Sequence, residues 1–331
     1  MIILVAGGAG YIGSHTCVAL LDAGHTVIVA DNLCNSKIET LDRVKQITGK
    51  EITFYQIDVT DEAETNTVFA NHSIDGVIHF AGLKAVGVSV EKPLLYYYNN
   101  IVSTMVLSKA CQKYGVRRFV FSSSATVYGE NKVPFVESMT LMPTTNPYGE
   151  TKIMSERILT DIVKANPDLS VALLRYFNPV GAHMNGLIGD APIGIPNNLM
   201  PYITQVAKGK LAKLRVFGND YPTIDGTGVR DYIHVCDLAE GHVAALDNLT
   251  QGVHIYNLGT SQGTSVLQLI MAFEEANDID VPYEITDRRP GDIAECYADA
   301  SKAERELGWK SKRELVDMCR DAWRFEKNYK G

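Results

Sequence analysis

The chain contains few cysteines, and their spacing matches neither a disulfide framework nor a zinc site. Its 331 residues include six cysteines, with no Cys-x-x-Cys pair among them. Disulfide-stapled domains and structural zinc sites both need characteristic sets of cysteines. The sequence therefore disfavours both, predicts no metal site, and is typical of a protein from a reducing cytosol.

Clustered basic residues and long hydrophobic runs are missing as well. The formal net charge is −8, and no block of Lys and Arg occurs. Nucleic-acid binding needs clustered positive charge to neutralise phosphates, so no nucleic-acid partner is expected. No apolar run approaches the ~20 residues that span a bilayer, and the apolar start at residues 1–6 is too short for a signal peptide. These absences predict a cytoplasmic protein with no membrane partner.

The residues that are present indicate an α/β fold. Short runs rich in Val, Ile and Phe alternate with amphipathic stretches, which is typical of strands buried on both faces of a parallel sheet with helices between them. The pattern predicts a doubly wound parallel sheet of the Rossmann type. The candidate strands are residues 2–6, 26–30, 52–57, 76–80, 118–122 and 171–176, and the candidate helices are 12–23, 37–48, 61–70, 93–114, 148–165, 237–247, 265–276 and 312–328.

The alternation ends after residue 177. Residues 178–228 are rich in Gly, Pro and Asn, which favours loops and short elements. We therefore expect a dinucleotide-binding Rossmann domain over residues 1–177. A smaller mixed α/β lobe that binds substrate should cover 178–331, with part of 229–260 returning to the first domain.

A glycine-rich turn lies between the first predicted strand and the first predicted helix. Gly7, Gly10 and Gly13 permit a tight turn, close approach of backbone to a pyrophosphate and close helix packing. Asp31 ends the second predicted strand, where a carboxylate accepts hydrogen bonds from the adenine-ribose hydroxyls and repels a 2′-phosphate. The combination predicts NAD rather than NADP as the cofactor. The alternative is an ordinary glycine turn with a capping aspartate.

Tyr148 and Lys152 lie four residues apart at the start of a predicted helix, so both side chains project from one face. A nearby ammonium and a positively charged nicotinamide ring would lower the pKa of the phenol and make it a base for an alcohol. Such a pair also occurs on ordinary exposed helices. Here the preceding strand ends in hydroxyl side chains that include Ser122 and Ser124, at the edge where open α/β sheets bind ligands. The order of these motifs along the chain favours a catalytic site.

With these motifs in place, the chain resembles the extended short-chain dehydrogenase/reductase family, and within it the enzymes that epimerise UDP-sugars at C4. The resemblance covers nearly the whole chain. The segments that carry it are residues 7–16, 79–84, 122–129, 175–183, 194–202 and 225–235.

The resemblance implies two sets of site residues. Catalysis would fall to Ser124, Tyr148 and Lys152. The implied NAD contacts are Gly7, Gly10, Tyr11, Ile12, Gly13, Asp31, Asn32, Asn35, Ser36, Asp58, Val59, Phe80, Ala81, Gly82, Lys84, Asn99, Ser122, Tyr148, Lys152 and Phe177. The implied UDP-sugar contacts are Lys84, Ser124, Tyr148, Asn178, Asn198, Leu199, Phe217, Arg230, Arg289, Asp292 and Cys296.

The same resemblance implies interconversion of UDP-galactose and UDP-glucose. Tyr148 would remove the C4 hydroxyl proton as hydride passes to NAD, and the 4-keto sugar would rotate and be reduced on its other face. One alternative is a sugar-nucleotide 4,6-dehydratase, which needs an Asp-Glu pair beside the active-site hydroxyl, whereas residues 124–127 contain no carboxylate. Another alternative is a non-catalytic NAD-binding sensor, which the intact Ser124 and Lys152 disfavour.

Two further expectations follow from the resemblance. Cys296 occupies a position where many such epimerases carry Tyr, and the smaller side chain would leave room for a 2-acetamido group, so UDP-GlcNAc and UDP-GalNAc should also be interconverted. The helices predicted at 93–114 and 148–165 would pack against a second copy of the chain. We therefore expect a homodimer.

Overall fold

The computed structural model describes residues 1–192, 194, 196, 198–289 and 291–330. The described residues contain fourteen strands. They are β1 (Ile2–Ala6), β2 (Thr26–Ala30), β3 (Thr53–Tyr55), β4 (Gly76–His79), β5 (Arg118–Ser122), β6 (Ser170–Tyr176), β7 (Asn178–Val180), β8 (Leu214–Phe217), β9 (Val229–Arg230), β10 (Tyr232–His234), β11 (Val253–Leu258), β12 (Thr264–Ser265), β13 (Tyr283–Thr286) and β14 (Glu295–Cys296).

The helices connect these strands, and a 3-10 turn follows β5 at Ala125–Tyr128. They are α1 (Tyr11–Asp22), α2 (Glu39–Thr48), α3 (Glu62–Asn71), α4 (Val86–Glu91), α5 (Pro93–Tyr114), α6 (Pro147–Ala165), α7 (Leu199–Ala207), α8 (Val235–Asp247), α9 (Val266–Asn277), α10 (Ser301–Leu307) and α11 (Leu315–Asn328). None of the helices in the described part of the chain is long and apolar enough to cross a membrane.

The central sheet has seven strands in the order β11-β6-β5-β4-β1-β2-β3, and every neighbouring pair is parallel. Side chains alternate between its faces. Ile3 and Val5 of β1 pack against α1, α2 and α8, whereas Leu4 and Ala6 pack against α3, α5 and α6. Helices therefore cover both faces, and the predicted doubly wound Rossmann-type fold is confirmed.

Two predicted boundaries were wrong for identifiable reasons. The strand predicted at 52–57 is shortened to Thr53–Tyr55, because β3 is an edge strand that pairs only over residues 53–55 with β2. The helix predicted at 312–328 begins at Leu315. The backbone N–H groups of Lys312 and Arg313 donate to the Asp237 carboxylate at 3.0 and 2.9 Å, and this contact from α8 holds the chain outside the helix.

Sequence patterns missed the strand that completes the central sheet. Residues Val253–Leu258 form β11, which pairs with β6, while α8 packs on the same sheet face as α1. A third apolar cluster joins α7, α9 and α11 around Ile203, Phe273 and Met318. The division of the chain at residue 177 stays a prediction.

Candidate active site

The parallel sheet brings several predicted site segments to one edge. The loops after β1, β4, β5 and β6 all leave the carboxyl ends of neighbouring strands. The chain reverses its direction of strand addition between β1 and β4, and open α/β sheets bind ligands in the crevice at such a point. A Cβ on Gly7 would lie 2.7 Å from the Ala81 nitrogen, which shows how closely the β1 and β4 loops approach.

The glycine turn has the geometry of a pyrophosphate-binding loop. Gly7 adopts φ +82°, a left-handed conformation that L side chains rarely adopt, and a Cβ on Gly13 would come within 2.2 Å of the Gly7 carbonyl oxygen. Helix α1 begins at Tyr11 after Gly10, and among the described residues no side chain caps its N-terminus. Its first N–H groups, including those of the predicted contacts Tyr11 and Ile12, are thus available to an anion.

Asp31 lies at the end of β2, beside this turn, and its side chain is buried. One carboxylate oxygen accepts from the Ala9 nitrogen at 3.0 Å. The other accepts from the Leu33 nitrogen at 2.9 Å and the Ser36 hydroxyl at 3.0 Å. Asp31 therefore holds the glycine turn and the loop of residues 31–36 together, and it shapes the surface where adenosine would bind.

Asn32 and Asp58 meet on the same side of the sheet. The Asn32 amide donates to Asp58 at 3.1 Å, and the Thr60 nitrogen and hydroxyl donate to the other Asp58 oxygen at 2.9 and 2.7 Å. Burial alone would raise the pKa of Asp58, but these hydrogen bonds lower it overall. The N-cap of α3 is Asp61, not Asp58. Two further predicted contacts lie nearby along the chain, the exposed Asn35 and the buried Val59.

The loop after β4 carries Phe80, Ala81, Gly82 and Lys84. The Phe80 ring packs 4.7 Å from the His242 ring, while the Lys84 side chain is exposed at the edge of the loop.

The family resemblance pointed to Asn99 in α5, and the sequence analysis missed the residue that holds this loop. The neighbouring Asn100 is buried, accepts from the Leu83 nitrogen at 2.8 Å, and donates to the Leu83 oxygen and the Thr151 hydroxyl at 3.0 Å each. It therefore ties the β4 loop to α6. The residue type of Asn100 could have indicated this role, because an asparagine inside a long helix is unfavourable unless its amide has a hydrogen-bond partner.

Tyr148 and Lys152 lie on the first turns of α6, whose N-cap is Asn146 with its side chain accepting from the Gly149 nitrogen. The Lys152 ammonium is 5.8 Å from the centroid of the Tyr148 ring. It donates to the Ser122 carbonyl oxygen at 2.6 Å. Two predicted catalytic side chains are thus brought together with the end of β5.

The ionisation of the tyrosine differs from the prediction. Burial raises the pKa of Tyr148 to about 12, although the nearby Ser124 side chain lowers it. The predicted lowering depends on Lys152 and a bound nicotinamide ring together and stays a prediction, because in the protein alone burial is the largest influence on the phenol. Burial also lowers the pKa of Lys152 to about 8, and the Glu156 carboxylate opposes that shift.

Phe177 and Cys296 belong to one apolar cluster beside the 3-10 turn that follows Ser124. Phe177 is buried against Ala125 and Val127 of the 3-10 turn, and Cys296 packs on the same cluster from β14. Burial raises the pKa of the Cys296 thiol to about 12, so the group is neutral. The exposed Asn178 follows directly in β7.

Four of the predicted UDP contacts form a chain of interactions outside the central sheet. Arg230 lies 3.5 Å from the Asp292 carboxylate, and the Asp292 nitrogen donates to the Arg289 carbonyl oxygen at 3.2 Å. The Arg289 guanidinium stacks 4.5 Å from the centroid of the Phe217 ring. Phe217 and Arg289 open onto a cleft of about 460 Å³, where they supply a flat ring and a cation for a nucleotide.

The remaining predicted contacts lie at the start of α7. The exposed Asn198 donates to Asp190 at 3.1 Å, and Leu199 begins the helix. Ile195 and Asn197, which belong to the sequence motif at 194–202, lie outside the described residues.

The chain is similar along nearly its whole length to proteins of known family. Residues 3–259 match the model of the NAD dependent epimerase/dehydratase family. The chain is 60% identical to a UDP-glucose 4-epimerase of Bacillus subtilis (strain 168), over 98% of this chain and 97% of that protein. A crystal structure of the UDP-glucose 4-epimerase from Bifidobacterium longum in complex with NAD+ and UDP has 54% identity and a TM-score of 0.97, with 99% of each chain covered. The UDP-Glc/GlcNAc 4-epimerase of Campylobacter jejuni has 38% identity and a TM-score of 0.85, again over 99% of each chain.

The glycine turn gives a pair of matched substitutions. A Cβ on Gly10 would meet only the Gly7 oxygen, at 3.4 Å, whereas one on Gly13 would clash at 2.2 Å. We expect Gly10→Ala to leave the melting temperature of the cofactor-free protein near wild type but to reduce bound NAD strongly, since the methyl group occupies the space of the pyrophosphate. Gly13→Ala should lower both. Melting curves and chromatographic quantification of NAD released on denaturation measure this, and undiminished NAD in the Gly10→Ala protein would contradict the assignment of the turn.

Proposed function

The chain belongs to the NAD dependent epimerase/dehydratase family, and we propose that it interconverts UDP-galactose and UDP-glucose with NAD as its cofactor. Identity of 60% to a UDP-glucose 4-epimerase over 98% of the chain carries this conclusion, because similarity of that extent includes the lobe that selects the substrate as well as the sheet. The arrangement of Ser124, Tyr148 and Lys152 at the carboxyl edge of the sheet supports it.

The residues at this edge of the sheet fit NAD. The glycine turn leaves room for a pyrophosphate at the start of α1, and the carboxylate of Asp31 disfavours a 2′-phosphate at the adenosine end. Lys152 and Tyr148 would lie beside the nicotinamide ribose and ring, with Phe80 and Phe177 on the walls. When bound, NAD supplies a hydride acceptor for C4 and a positive charge beside the phenol.

Tyr148 is the proton acceptor for the C4 hydroxyl. Its pKa of about 12 in the protein alone keeps the phenol protonated, so the base forms only when cations surround it. Lys152 is the cation that the chain itself provides, and its bond to the Ser122 oxygen at 2.6 Å fixes it on the Tyr148 face of α6. The Ser124 hydroxyl lies beside the phenol and can pass the proton between the sugar oxygen and Tyr148.

Epimerisation needs the 4-keto sugar to present both faces while its nucleotide stays in place. The UDP group would be held by a surface of four linked side chains: Arg230, Asp292, Arg289 and Phe217. A sugar anchored only through its diphosphate would be able to rotate above Tyr148, so that either face of C4 could take back the hydride while Tyr148 returned the proton to the C4 oxygen. The turn after Ser124 carries Ala125 and Thr126 in place of an acid and a base, so elimination of water lacks the groups it needs.

Replacement of Tyr148 by Phe tests the base. We expect Tyr148→Phe to retain bound NAD and to lose turnover of UDP-galactose by about 10³-fold or more, because only the proton acceptor is removed. Tyr114→Phe, which deletes a hydroxyl from a tyrosine at the end of α5, should stay within about twofold of wild type. A coupled assay for UDP-glucose formation, without added NAD, measures both. Wild-type turnover in Tyr148→Phe would overturn the assignment.

We also propose that the site accepts 2-acetamido sugars. Cys296 has a small, neutral side chain that packs on the cluster containing Phe177 and Ala125. Ala125 directly follows the proposed catalytic Ser124 in the chain. The similarity to the UDP-Glc/GlcNAc 4-epimerase of Campylobacter jejuni is in keeping with this breadth. UDP-GlcNAc and UDP-GalNAc are therefore proposed as additional substrates.

Cys296→Tyr places a ring where the acetamido group would lie. We expect kcat/KM for UDP-GalNAc to fall by about tenfold or more, while that for UDP-galactose stays within about threefold. Cys296→Ala, which keeps the space open, should preserve both activities. If the wild-type protein turns over UDP-galactose but not UDP-GalNAc, the wider substrate range is wrong.

A homodimer is the proposed assembly. Helices α4 and α5 expose a row of apolar side chains that includes Val90 at 61%, Leu94 at 82% and Tyr98 at 64%. An apolar face of this kind is typical of a surface covered by a second subunit. Light scattering should give twice the 36.4 kDa chain mass, and a monomeric mass would contradict the proposal.

A cytoplasmic location is proposed as well. All six cysteines are free thiols, as expected in a reducing compartment. Recovery of the protein in a secreted or membrane fraction of the source cells would contradict it.

A further inference from the structure

Three residues of α6, spaced four apart, share one face of the helix: Tyr148, Lys152 and Glu156. The first two belong to the chemistry described above. We propose that Glu156 is a positioning residue for that chemistry, since it clamps the ends of β5 and β6 against the catalytic face of α6 and supplies the negative charge that faces Lys152. This inference rests on the proposed epimerisation.

The clamp on β6 is a buried ion pair. Arg175 donates through Nε to one Glu156 oxygen at 3.0 Å and through Nη2 to the other at 2.7 Å. The side chains of Arg175 and Glu156 are only 3% and 6% exposed. A forked contact of this kind fixes direction as well as distance. It sets the end of β6, which continues into Phe177, relative to the catalytic helix.

The clamp on β5 is a hydrogen bond from Ser123. Its hydroxyl donates to the same Glu156 oxygen that accepts from Arg175 Nε, at 2.5 Å, and Ser123 is fully buried. Its two neighbours both serve the catalytic pair: the Ser122 carbonyl oxygen holds the Lys152 ammonium, and the Ser124 side chain lies beside the Tyr148 phenol. Glu156 thus restrains the residue between two groups that must keep their distances from the reacting atoms.

Arg175 has partners in addition to Glu156. Its guanidinium stacks 4.9 Å from the Tyr128 ring centroid and donates to the Glu137 carbonyl oxygen at 3.5 Å. The Tyr128 hydroxyl donates to Asn257 of β11 at 2.7 Å, and the Asn257 nitrogen donates to the Glu137 carboxylate at 2.8 Å. The clamp therefore connects α6 to three strands of the sheet. Movement of Glu156 would be transmitted to each of them.

The charges around Lys152 give Glu156 a role that a purely structural contact lacks. Lys152 is faced by Tyr148 and Glu156 from its own helix and by the His79 imidazole from β4, whose pKa burial and Lys152 lower to about 3. Tyr176 of β6 is a neutral phenol, because burial raises its pKa. Among these groups Glu156 is the one that favours the ammonium, so its loss should allow Lys152 to lose its proton at lower pH.

Glu156→Gln tests this role in the whole enzyme with its cofactor, because it keeps the side-chain shape and removes the charge. We expect the alkaline limb of the kcat profile for UDP-galactose to move down by about one pH unit, so that kcat falls about tenfold more at pH 8.5 than at pH 6.5. KM should stay within about twofold, since the UDP contacts lie on the other lobe.

Asp237→Asn is the matched control. Asp237 is a fully buried carboxylate on α8 that also faces an arginine, Arg313, but it lies away from the catalytic helix. Its replacement should lower the melting temperature without moving the pH profile. If Glu156→Gln lowers kcat equally at every pH, in step with a loss of stability like that of Asp237→Asn, the proposal is overturned.

Ser123→Ala separates position from charge and decides the question if Glu156→Gln fails to fold. It leaves the ion pair intact and should lower kcat by about threefold to tenfold, with KM and the alkaline limb unchanged. A wild-type kcat in Ser123→Ala would contradict the clamp on β5. Absence of UDP-galactose turnover in the wild-type enzyme would instead refute the proposed function, whatever the variants show.

Discussion

The shared direction of the central strands is the constraint from which the site follows. Because β1, β4, β5 and β6 run parallel, their carboxyl ends meet at one edge, and loops that are far apart in sequence come into contact. The close approach of the β1 and β4 loops at Gly7 and Ala81 is a direct result. Reversal of any one strand would carry its loop to the opposite edge and dismantle both the cofactor surface and the catalytic group.

Polar side chains buried beneath this edge of the sheet support the site. A buried polar group destabilises the fold unless it has partners, and four such side chains lie here: Lys152, Glu156, Arg175 and Asn100. Lys152 donates to the Ser122 oxygen, Glu156 and Arg175 pair with each other, and Asn100 bonds the Leu83 backbone. These contacts form a well-connected support beneath Tyr148. Such a support suits a reaction that moves only protons, hydride and one sugar ring.

Hydrogen bonds to a buried carboxylate also fix the segments outside the central sheet. Asp231 is fully buried between β9 and β10 and accepts from the backbone of Thr260, Ser261 and Ala298 at 2.8, 3.1 and 3.2 Å. Those bonds fix the strand that carries Arg230 against the segment that leads from Cys296. The residues proposed to hold the nucleotide and the residue proposed to admit an acetamido group therefore share one support. A change in the position of Arg230 should therefore also affect the position of Cys296, and the reverse.

Local patterns in the sequence were enough to predict the Rossmann-type sheet, the glycine turn, Asp31 and the Tyr148–Lys152 pair. Each depends on the conformation of a few neighbouring residues, such as the left-handed φ of Gly7 or the four-residue spacing on α6. The tertiary structure alone decided that β11 completes the sheet, that Asp237 delays the start of α11, and that Asn100 and Glu156 support the site. It also decided that burial raises the pKa of Tyr148 in the protein alone. The physical reason is that desolvation and hydrogen bonds between distant segments depend on which groups the fold removes from water together, and spacing along the chain does not specify that.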